Sequence, residues 1–499
     1  MVRIKDIFKG IKYKTDEDLS NLAIKKIAID SRKVGKGSLF IAMRGYNTDG
    51  YKFIDEAIKK GAKVVVAEKD FNTPSGVKKI LIADTRKTIP IVADNFYRHP
   101  SKKLKIVGVT GTNGKTTITY LIENILKWAR KDSGVIGTIN YRIKGKGEPA
   151  ANTTPGALEL QSLLSKMLKN RARYVIMEVS SHSLDQGRVD QVLFDVGIFT
   201  NITKEHLDYH KTIKNYFNAK ARLFDKLKNS GIAILNSDDK IVRALKKRIK
   251  NRVLTYGIEN KSDIMASSIF LSMDSSAFSI KTPKCSFKVK TALIGRHNIS
   301  NILASVAAAI ALGVSVEAIK KGIESFTSVP GRLEIVDLGQ PFKVFVDYAH
   351  TEDALYNILS LLREVTKNGR IITVFGCGGN RDRSKRPLMG NVACRFSDKV
   401  VVTSDNPRFE DSAGIISEIE TGIKRKFSNY CLVEDRRAAI DNALKSASKG
   451  DVVVIAGKGH EKYQIMKDRV MPFDDREVVR SILKGNPRIL KKESKKKAR

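Results

Sequence analysis

One stretch decides the fold of this chain: Thr110-Gly111-Thr112-Asn113-Gly114-Lys115-Thr116-Thr117. It follows an apolar run, Ile106–Val109, that predicts a buried strand, and a helical pattern begins at Thr116. Glycines let backbone N–H groups curl around phosphate oxygens, and the start of a helix adds a favourable dipole. Lys115 would neutralise the β- and γ-phosphates of a nucleotide, and Thr116 would bind Mg²⁺. The strict GxxxxGK[ST] pattern fails by one position, yet the strand–loop–helix order favours a phosphate-binding loop.

Strand-like runs alternate with helical patterns on both sides of this loop, which predicts an α/β fold with mostly parallel sheets. The alternation of strand-like and helical patterns is interrupted by polar segments at His99–Lys103 and Ser328–Gly331. A length of 499 residues fits about three domains. We therefore predict three α/β domains: residues 1–100, a central phosphate-loop domain at 101–329 with a parallel sheet, and a Rossmann-like domain at 330–499.

Composition narrows the class of protein. Hydrophobic residues make up 42 % of the chain, yet no uninterrupted apolar stretch approaches the roughly 18 residues of a membrane span. The first ten residues have no apolar region or cleavage site of the kind found in signal peptides. Four widely spaced cysteines form no CxxC pair, which fits a reducing compartment. We expect a cytoplasmic enzyme without a membrane span, and a monomer.

The charge is strongly basic, with 91 Lys and Arg against 53 Asp and Glu, a net charge of +38. Such a charge attracts polyanions. The basic residues are spread along the chain, however, and only the tail Lys491–Arg499 concentrates them. Aromatic and basic residues do not alternate as base stacking would require. We expect no specific nucleic-acid partner, and we expect anionic substrates such as nucleotides and polycarboxylates.

The loop at Thr110–Thr117 resembles that of the Mur ligases and their folylpolyglutamate synthetase relatives. Six further segments are similar to motifs of this family and occur in the same order: Met177–His182, Asn201–His210, Asn236–Asp239, Gly295–Asn298, Pro330–Glu334 and Asp347–Thr351. Each is weak alone, and together they are specific. The resemblance covers nearly the whole chain and implies an ATP-dependent ligase that joins an amine to a carboxylate.

Within the family, the resemblance implies ATP and Mg²⁺ as cofactors and assigns most of the catalytic residues. Lys115, Glu178, His206 and Lys220 match catalytic positions, with Thr116, Glu178 and Lys220 toward the metal. Lys220 corresponds to a lysine that the family carbamylates with CO₂, although alone it reads as a solvated helix lysine. Glu178 alone is a surface acid at a strand end, and His206 an ordinary histidine. The expected ATP-binding residues are Gly111, Thr112, Asn113, Gly114, Lys115, Thr116, Thr117, Asn298, Arg332 and Asp347.

Asn298 resembles the family's adenine contact and also suits the N-cap of a helix at Ile302–Leu312. Arg332 and Asp347 lie after the second break, so the resemblance implies that closure of the third domain completes the ATP site. Glu352 stands where the family commonly has proline, so the helix there can begin differently.

The acceptor implied by the resemblance is a UDP-N-acetylmuramoyl-dipeptide. Two groups of residues match its binding sites. In the first domain they are Ser31, Tyr46, Asn47 and Thr48, although the family often has histidine near Tyr46. In the central domain they are Asn152, Thr153, Thr154, Ser180, Gln186 and Arg188. Thr154-Pro155 also reads as an N-cap followed by a proline at the first helical position.

The third domain would select the amino acid. Asp405-Asn406-Pro407-Arg408 is similar to the signature of family members that add meso-diaminopimelate. Arg408 and Arg381 would clamp the distal carboxylate, because a guanidinium matches a carboxylate with two hydrogen bonds. Gly457 and Glu461 match a second motif, with Glu461 placed for the distal ammonium. The alternative is a set of loop charges on a basic surface.

Several alternatives stay open at this point. The chain could be a lysine-adding ligase, which Arg408 disfavours, or a folate-glutamylating one, which the uridine-site match disfavours. A phosphate-loop nucleic-acid protein and an inactive scaffold are the others. Two patterns are rejected: Gly376–Arg381 lacks the last glycine of a dinucleotide loop, and His460-Glu461 lacks the second histidine of HExxH because Gln464 stands there.

Overall fold

The computed structural model describes residues 1–45 and 48–486. Tyr46, Asn47 and the tail Lys491–Arg499 lie outside the described residues, so the predictions on them are untested. The chain forms two compact units. Among the described residues, the first comprises Met1–Tyr256 and Ala304–Ile319, and the second Gly257–Leu303 and 320–486.

The first unit begins with a small sheet of four parallel strands, in the order β3-β4-β5-β6, and a separate antiparallel pair, β1 and β2. Its second sheet has the order β10-β9-β8-β11-β7-β12-β13-β14 within this unit. The strands from β8 through β14 along that order are parallel, and β9 and β10 add antiparallel at one edge. The strands are β1 Val2–Arg3, β2 Ala23–Ile24, β3 Lys26–Ala28, β4 Ser38–Ile41, β5 Ala62–Ala67, β6 Lys78–Leu81, β7 Lys105–Thr110, β8 Ser133–Ile136, β9 Asn140–Ile143, β10 Lys146–Pro149, β11 Tyr174–Glu178, β12 Phe194–Phe199, β13 Leu227–Asn236 and β14 Arg252–Gly257.

Helices of the first unit cover both sheets. They are α1 Ile4–Ile7, α2 Ile54–Lys59, α3 Thr85–Phe96, α4 Pro100–Lys103, α5 Lys115–Trp128, α6 Ala157–Lys169, α7 Ser181–Asp185, α8 Leu207–His210, α9 Ile213–Ala221 and α10 Lys240–Ala244. Ala157 of α6 belongs to the core of the small sheet, and Leu160 and Leu164 belong to the core of the large one. Burial of these apolar side chains therefore holds the two sheets together through one helix.

The second unit contains a six-stranded sheet in the order β18-β19-β23-β20-β21-β22, parallel except for β18 at its edge. Three antiparallel strands, β15 to β17, and a hairpin, β24–β25, complete it. The strands are β15 Ile264–Leu271, β16 Ser276–Lys281, β17 Ser286–Thr291, β18 Glu334–Ile335, β19 Lys343–Asp347, β20 Ile371–Phe375, β21 Lys399–Val402, β22 Tyr430–Leu432, β23 Val452–Ala456, β24 Tyr463–Met466 and β25 Arg469–Pro472.

Helices lie on both faces of the six-stranded sheet, and each face of the sheet has its own apolar cluster beneath the helices. Residues of α11 from Ala304 onward, and of α12 up to Ile319, belong to the first unit. The helices are α11 Arg296–Ala311, α12 Val316–Glu324, α13 Glu352–Val365, α14 Lys385–Phe396, α15 Ser412–Glu420, α16 Arg436–Ser446 and α17 Asp475–Gly485. Parallel strands with helices on both faces confirm the predicted α/β fold. The division into three domains at residues 100 and 329 stays a prediction.

Two predicted helix starts are wrong. Asn298 is inside α11, which begins at Arg296, and its Nδ2 donates to the Ile294 carbonyl at 2.9 Å, so it is not an N-cap. Thr154 does not cap α6, whose N-cap is Gly156. Its hydroxyl instead donates to the Glu178 carbonyl at 2.8 Å, a contact between distant parts of the chain that local sequence does not encode.

The antiparallel strands β9–β10 and β15–β17 were missed by the sequence analysis, which predicted only the parallel alternation. Their pairing depends on polar, partly exposed residues that carry no continuous apolar run. Among the described residues, no helix is both long and apolar enough to cross a membrane.

Candidate active site

The glycine loop joins β7 to α5, as the sequence predicts. Gly111 and Gly114 have φ angles of 139° and 89°, a region that favours glycine. A Cβ atom on Gly111 would collide with the Thr200 hydroxyl. Lys115 is the first residue of α5, and its Nζ donates to the carbonyls of Gly111 at 2.9 Å and Thr112 at 2.8 Å. The loop thus has the backbone shape, the helix start and the lysine that phosphate binding needs.

Residues after β12 hold this loop in place. Asn201 accepts from the Asn113 N–H at its Oδ1, at 2.9 Å, and from the Thr112 N–H at its carbonyl, also at 2.9 Å. The Thr200 hydroxyl donates to the Asn113 carbonyl at 2.6 Å. These bonds fix the loop before any ligand arrives, which lowers the entropic cost of binding phosphate there.

Lys220, near the end of α9, is buried, with 2 % of its surface exposed. Its Nζ donates to the Gly111 carbonyl at 2.7 Å and lies 4.5 Å from the centre of the Tyr216 ring. Burial, followed by the charge of Lys115, holds the pKa of Lys220 well below its usual value. The interpretation of Lys220 as a solvated helix lysine is therefore wrong, and the structure brings it against the glycine loop.

Glu178 ends β11, which pairs directly with β7, and only 1 % of its surface is exposed. Its Oε1 accepts from the Thr138 N–H and its Oε2 from the Thr138 hydroxyl, both at 2.9 Å. The alternative of a surface acid at a strand end is wrong. A buried carboxylate beside a phosphate loop has the chemistry to hold a hard divalent cation.

The predicted muramoyl-peptide residues of the central segment come together around Thr154. Its hydroxyl accepts from the Ser180 N–H at 3.0 Å, and its carbonyl accepts from Arg188 Nη1 at 3.1 Å. Arg188 Nε in turn donates to Gln186 Oε1 at 2.9 Å. Thr153 and Asn152 are adjacent, with the Thr153 hydroxyl 3.0 Å from that of Thr138 and the Asn152 carbonyl accepting from Tyr141 at 2.7 Å. This cluster therefore reaches Glu178 through Thr138.

His206 lies in a group of aromatic rings next to this region. The His182 ring is 4.8 Å from the His206 ring and 5.4 Å from the His210 ring. Desolvation is the main cause that lowers the pKa of His206, and Lys115 and Lys220 contribute in the same direction. The sequence analysis gave no role to His182 or His210. Across the described ranges, no three His, Cys, Asp or Glu side chains are grouped as a metal cluster.

In the small sheet, Ser31 is buried and donates to Glu56 Oε2 at 2.8 Å. Thr48 is exposed, and its carbonyl accepts from the Gly45 N–H at 2.9 Å. Among the described residues, no hydrogen bond joins Ser31 to Thr48. The uridine assignment of these two residues therefore stays a prediction.

In the second unit, Asp347 ends β19 and is buried. Its carboxylate accepts from the Leu333 N–H at 2.6 Å and the Ala349 N–H at 2.7 Å. Burial raises its pKa, and the charge of Arg332 opposes the rise. The Arg332 guanidinium lies 4.8 Å from the Tyr348 ring centre. Arg332 and Asp347 are thus neighbours, while Asn298 sits on α11 with its side chain bonded to Ile294 and Asn301.

The residues predicted to bind the amino acid lie at the carboxyl ends of β21 and β23. Asn406 Nδ2 donates to Glu461 Oε2 at 2.7 Å, which brings the two predicted motifs together. A Cβ atom on Gly457 would lie 2.6 Å from Asp405 Oδ2, so glycine is needed for the close approach. Pro407 follows Asn406 and is buried.

The two predicted arginines flank Gly378. A Cβ atom there would lie 2.9 Å from Arg408 Nη1 and 4.0 Å from Arg381 Cγ. Arg408 has a φ angle of 54°, and its Nη1 donates to the Gly379 carbonyl at 2.8 Å. Arg381 is exposed and donates to the Asn380 carbonyl at 3.0 Å. The structure thus places both arginines beside one glycine loop, and the carboxylate clamp stays a prediction.

A fully buried ion pair supports this site and was missed by the sequence analysis. Arg436, the first residue of α16, donates from Nε to Asp475 at 2.8 Å, and neither side chain is exposed to solvent. Its Nη1 and Nη2 also donate to the Ser404 and Ala456 carbonyls, at 3.2 and 3.0 Å. The Ser404 and Ala456 carbonyls lie just before Asp405 and Gly457, where the two motifs begin. Arg436 therefore fixes the backbone at the start of both motifs. Charged residues at helix starts normally suggest solvent exposure, which is why sequence gave no signal.

Sequence models of three domains match this chain. The Mur ligase family catalytic domain matches residues 23–101, the Mur ligase middle domain 109–309, and the Mur ligase glutamate ligase domain 331–459. The chain belongs to the Mur ligase family. It is 43 % identical over 487 residues to the UDP-N-acetylmuramoyl-L-alanyl-D-glutamate–2,6-diaminopimelate ligase of Clostridium tetani, covering 97 % of this chain and 99 % of that protein. A protein of the same name from Geobacillus kaustophilus is 44 % identical over 470 residues, covering 93 % and 96 %.

Solved structures agree with this membership. A structure of a UDP-N-acetylmuramoyl-L-alanyl-D-glutamate–2,6-diaminopimelate ligase has a TM-score of 0.69 and 33 % identity, covering 97 % of this chain and 99 % of that one. The MurF ligase of Thermotoga maritima, solved in complex with ADP, has a TM-score of 0.66 at 20 % identity, covering 93 % and 98 %. At 20 % identity, the similarity to the MurF structure is evidence for the fold alone.

Proposed function

We propose that this chain is an ATP-dependent ligase that joins an amino group of 2,6-diaminopimelate to UDP-N-acetylmuramoyl-L-alanyl-D-glutamate, a step in the synthesis of peptidoglycan precursors. The observation that carries the proposal is the site at the ends of β21 and β23. Arg408 and Arg381 flank one glycine there, and Glu461 lies against Asn406. Cations and a carboxylate in one site complement the far end of diaminopimelate, which carries both a carboxylate and an ammonium.

ATP is the phosphoryl donor in this proposal, and its phosphates bind at the glycine loop. The loop conformation and the Lys115 contacts support this assignment. The proposed ATP-binding residues are those of the loop from Gly111 to Thr117, with Asn298, Arg332 and Asp347 from the second unit.

Mg²⁺ fits the oxygen donors near the loop. Glu178 supplies a buried carboxylate and Thr116 a buried hydroxyl at the start of α5. Such hard oxygen ligands suit Mg²⁺, which would neutralise charge on the phosphates and orient them. Lys220 would join these ligands only after it gains a negative group.

Burial gives Lys220 the chemistry to gain one. A depressed pKa raises the fraction of Lys220 whose Nζ is a neutral amine, and that is the form that attacks CO₂. A nitrogen–carbon bond forms as one C=O π bond of CO₂ opens, one proton leaves the nitrogen, and the product is a carbamate whose single negative charge is shared by two oxygens. The carbamate would make Lys220 an oxygen ligand in place of an ammonium group. Lys115, which donates to the same Gly111 carbonyl, would keep its contact with the loop.

The acceptor is proposed to bind across the first unit. Ser31, Tyr46, Asn47 and Thr48 would contact the uridine diphosphate end. Asn152, Thr153, Thr154, Ser180, Gln186 and Arg188 would contact the muramoyl peptide, and the hydrogen-bonded cluster around Thr154 supports the second assignment. That cluster reaches Glu178 through Thr138, which favours delivery of the peptide carboxylate close to the phosphoryl donor.

The reaction then takes two steps. The side-chain carboxylate of the D-glutamate attacks the γ-phosphorus of ATP, which releases ADP and gives an acyl phosphate. The neutral amino group of diaminopimelate attacks the carbonyl carbon, the carbon–oxygen bond to phosphate breaks, and a proton leaves the new amide nitrogen. Lys115 screens the negative charge of the transferring group, so the protein contributes mainly position and electrostatics. His206 and Lys220 both lie near the Tyr216 ring. We propose that His206 orients the reacting groups at this end of the glycine loop.

The division into domains at 1–100, 101–329 and 330–499, a cytoplasmic location and a monomeric state belong to the same proposal. The direct test is phosphate release by the purified protein with ATP, Mg²⁺ and the UDP-muramoyl-dipeptide. Diaminopimelate, lysine and glutamate are supplied in turn. Release that depends on both diaminopimelate and the dipeptide is expected. A parallel reaction replaces the dipeptide with a folate acceptor, and release that occurs there with glutamate instead would replace the proposal.

A further inference from the structure

Lys458 lies in the second of the two amino-acid motifs and is completely buried. Its Nζ donates to Asn406 Oδ1 at 3.1 Å and to Glu461 Oε2 at 3.3 Å. It also lies 5.7 Å from the centre of the Tyr463 ring. A buried ammonium is costly unless nearby groups compensate its charge and use its hydrogen bonds. Lys458 therefore occupies a place built for a cation, directly behind the residues proposed to receive the substrate.

The lysine and a main-chain N–H together fix which way the Asn406 amide points. Asn406 Oδ1 accepts from Lys458 Nζ and from the Ile465 N–H at 2.9 Å, so both donors require oxygen on that side. The amide nitrogen must then face Glu461, to which it donates at 2.7 Å. Both Asn406 and Lys458 use Oε2 of Glu461. The Oε1 atom is the one we assign to a substrate ammonium.

The charge of Lys458 also stabilises the buried carboxylate of Glu461. Burial raises the pKa of Glu461, the nearby carboxylate of Asp405 raises it further, and Lys458 opposes both. Arg436 lies close by, but its guanidinium is paired with the buried carboxylate of Asp475. Among the residues that the structure describes, Lys458 is thus the cation in direct contact with Glu461.

We propose that Lys458 is a positioning residue that determines specificity for the distal ammonium of the amino acid. It acts through Asn406 and Glu461 and does not touch the substrate. This inference rests on the proposed function, because it takes diaminopimelate as the amino acid. Without Lys458 the Asn406 oxygen keeps the Ile465 N–H as a donor but loses its second donor, and Glu461 loses its compensating charge. The site then distinguishes an amino acid with a distal ammonium from one without it less sharply.

The test compares diaminopimelate with 2-aminopimelate, which has both carboxylates and lacks the distal amine. Wild-type protein should favour diaminopimelate by about 100-fold or more in kcat/KM, because a buried carboxylate left without its partner is costly. Lys458→Met, close in volume, should reduce that ratio about tenfold or more and leave the KM for ATP unchanged. Lys399→Met is the matched control, since Lys399 also donates to an asparagine, Asn442, at 2.8 Å, but at the opposite end of β21. It should keep the wild-type ratio.

A second variant guards against misfolding. Lys458→Met/Glu461→Gln removes both charges together, and it should lose no more of the ratio than Glu461→Gln alone, because Lys458 acts through Glu461. Losses that add in the double variant, or a wild-type ratio in folded Lys458→Met, would overturn the inference. Wild-type protein that fails to ligate diaminopimelate at all would overturn the proposed function first, and this inference with it.

Discussion

Lys115 and Lys220 donate to the same main-chain oxygen, the Gly111 carbonyl, at 2.9 and 2.7 Å. One lysine begins the helix after the glycine loop, and the other arrives from α9. Two ammonium groups at one buried oxygen would repel each other, and the depressed pKa of Lys220 lessens that repulsion because it favours the neutral amine. The two lysines therefore have different chemistry at one point of the loop: Lys115 suits phosphate, and Lys220 suits reaction with CO₂.

Lys115→Ala should abolish most ligation while the protein stays folded, because the change removes a phosphate-binding charge and not core volume. We expect a loss of about 100- to 1,000-fold in kcat, the size seen when one electrostatic stabiliser of a transition state is removed. Steady-state phosphate release, with circular dichroism to check folding, measures it. Lys127→Ala, exposed on the same helix, is the control. Near-normal turnover in folded Lys115→Ala would show that ATP binds elsewhere.

Lys220 should carry a carbamate in the active protein. With ¹³C-labelled bicarbonate, a carbamate resonance is expected in wild-type protein and in Lys214→Ala, whose lysine is exposed on the same helix. Lys220→Ala should lose both the resonance and nearly all activity, because an oxygen ligand for Mg²⁺ is missing. Full activity in wild-type protein from which CO₂ and the resonance have been removed would contradict the assignment.

His297 should make stability depend on pH. Burial lowers its pKa to about 4, against about 6.5 in an unfolded chain. Below about pH 6.5 the unfolded state binds one more proton than the folded state, so stability is lost as pH falls, by at most about 3 kcal/mol near pH 4. His297→Phe, which keeps an aromatic ring, should lose less stability between about pH 7 and pH 5. Urea unfolding at both pH values measures this, and an equal loss in the two proteins would exclude His297 as the cause.

Arg408→Ala should lose most activity with diaminopimelate and change the KM for ATP little. Loss of a charge-assisted bidentate contact in a desolvated site costs about 2–5 kcal/mol, or roughly 30- to several-thousand-fold in kcat/KM. The variant should not become a good lysine ligase, since removing a clamp builds no new contact. Arg425→Ala, exposed on the same unit, is the control. Unchanged kcat/KM for diaminopimelate in Arg408→Ala would rule out the clamp.

The parts of the site that sequence predicts are those encoded locally. The loop before Lys115 and the strand that ends at Glu178 each depend on neighbours in sequence, and both lie where the patterns indicate. The burial of Lys220 and Lys458 could not be predicted, because a lysine in a helical or glycine-rich segment normally faces solvent. Thr154 shows the same limit, since its contact with the Glu178 carbonyl joins residues that are far apart in sequence.

The central claim is that this ligase adds diaminopimelate. The most direct measurement is kcat/KM of the wild-type protein for diaminopimelate and for lysine, with saturating ATP, Mg²⁺ and UDP-muramoyl-dipeptide and with the product identified by mass. The two amino acids differ by one carboxylate, so a site containing Arg408 and Arg381 should favour diaminopimelate by roughly 30-fold or more. Equal values, or a preference for lysine, would contradict the account.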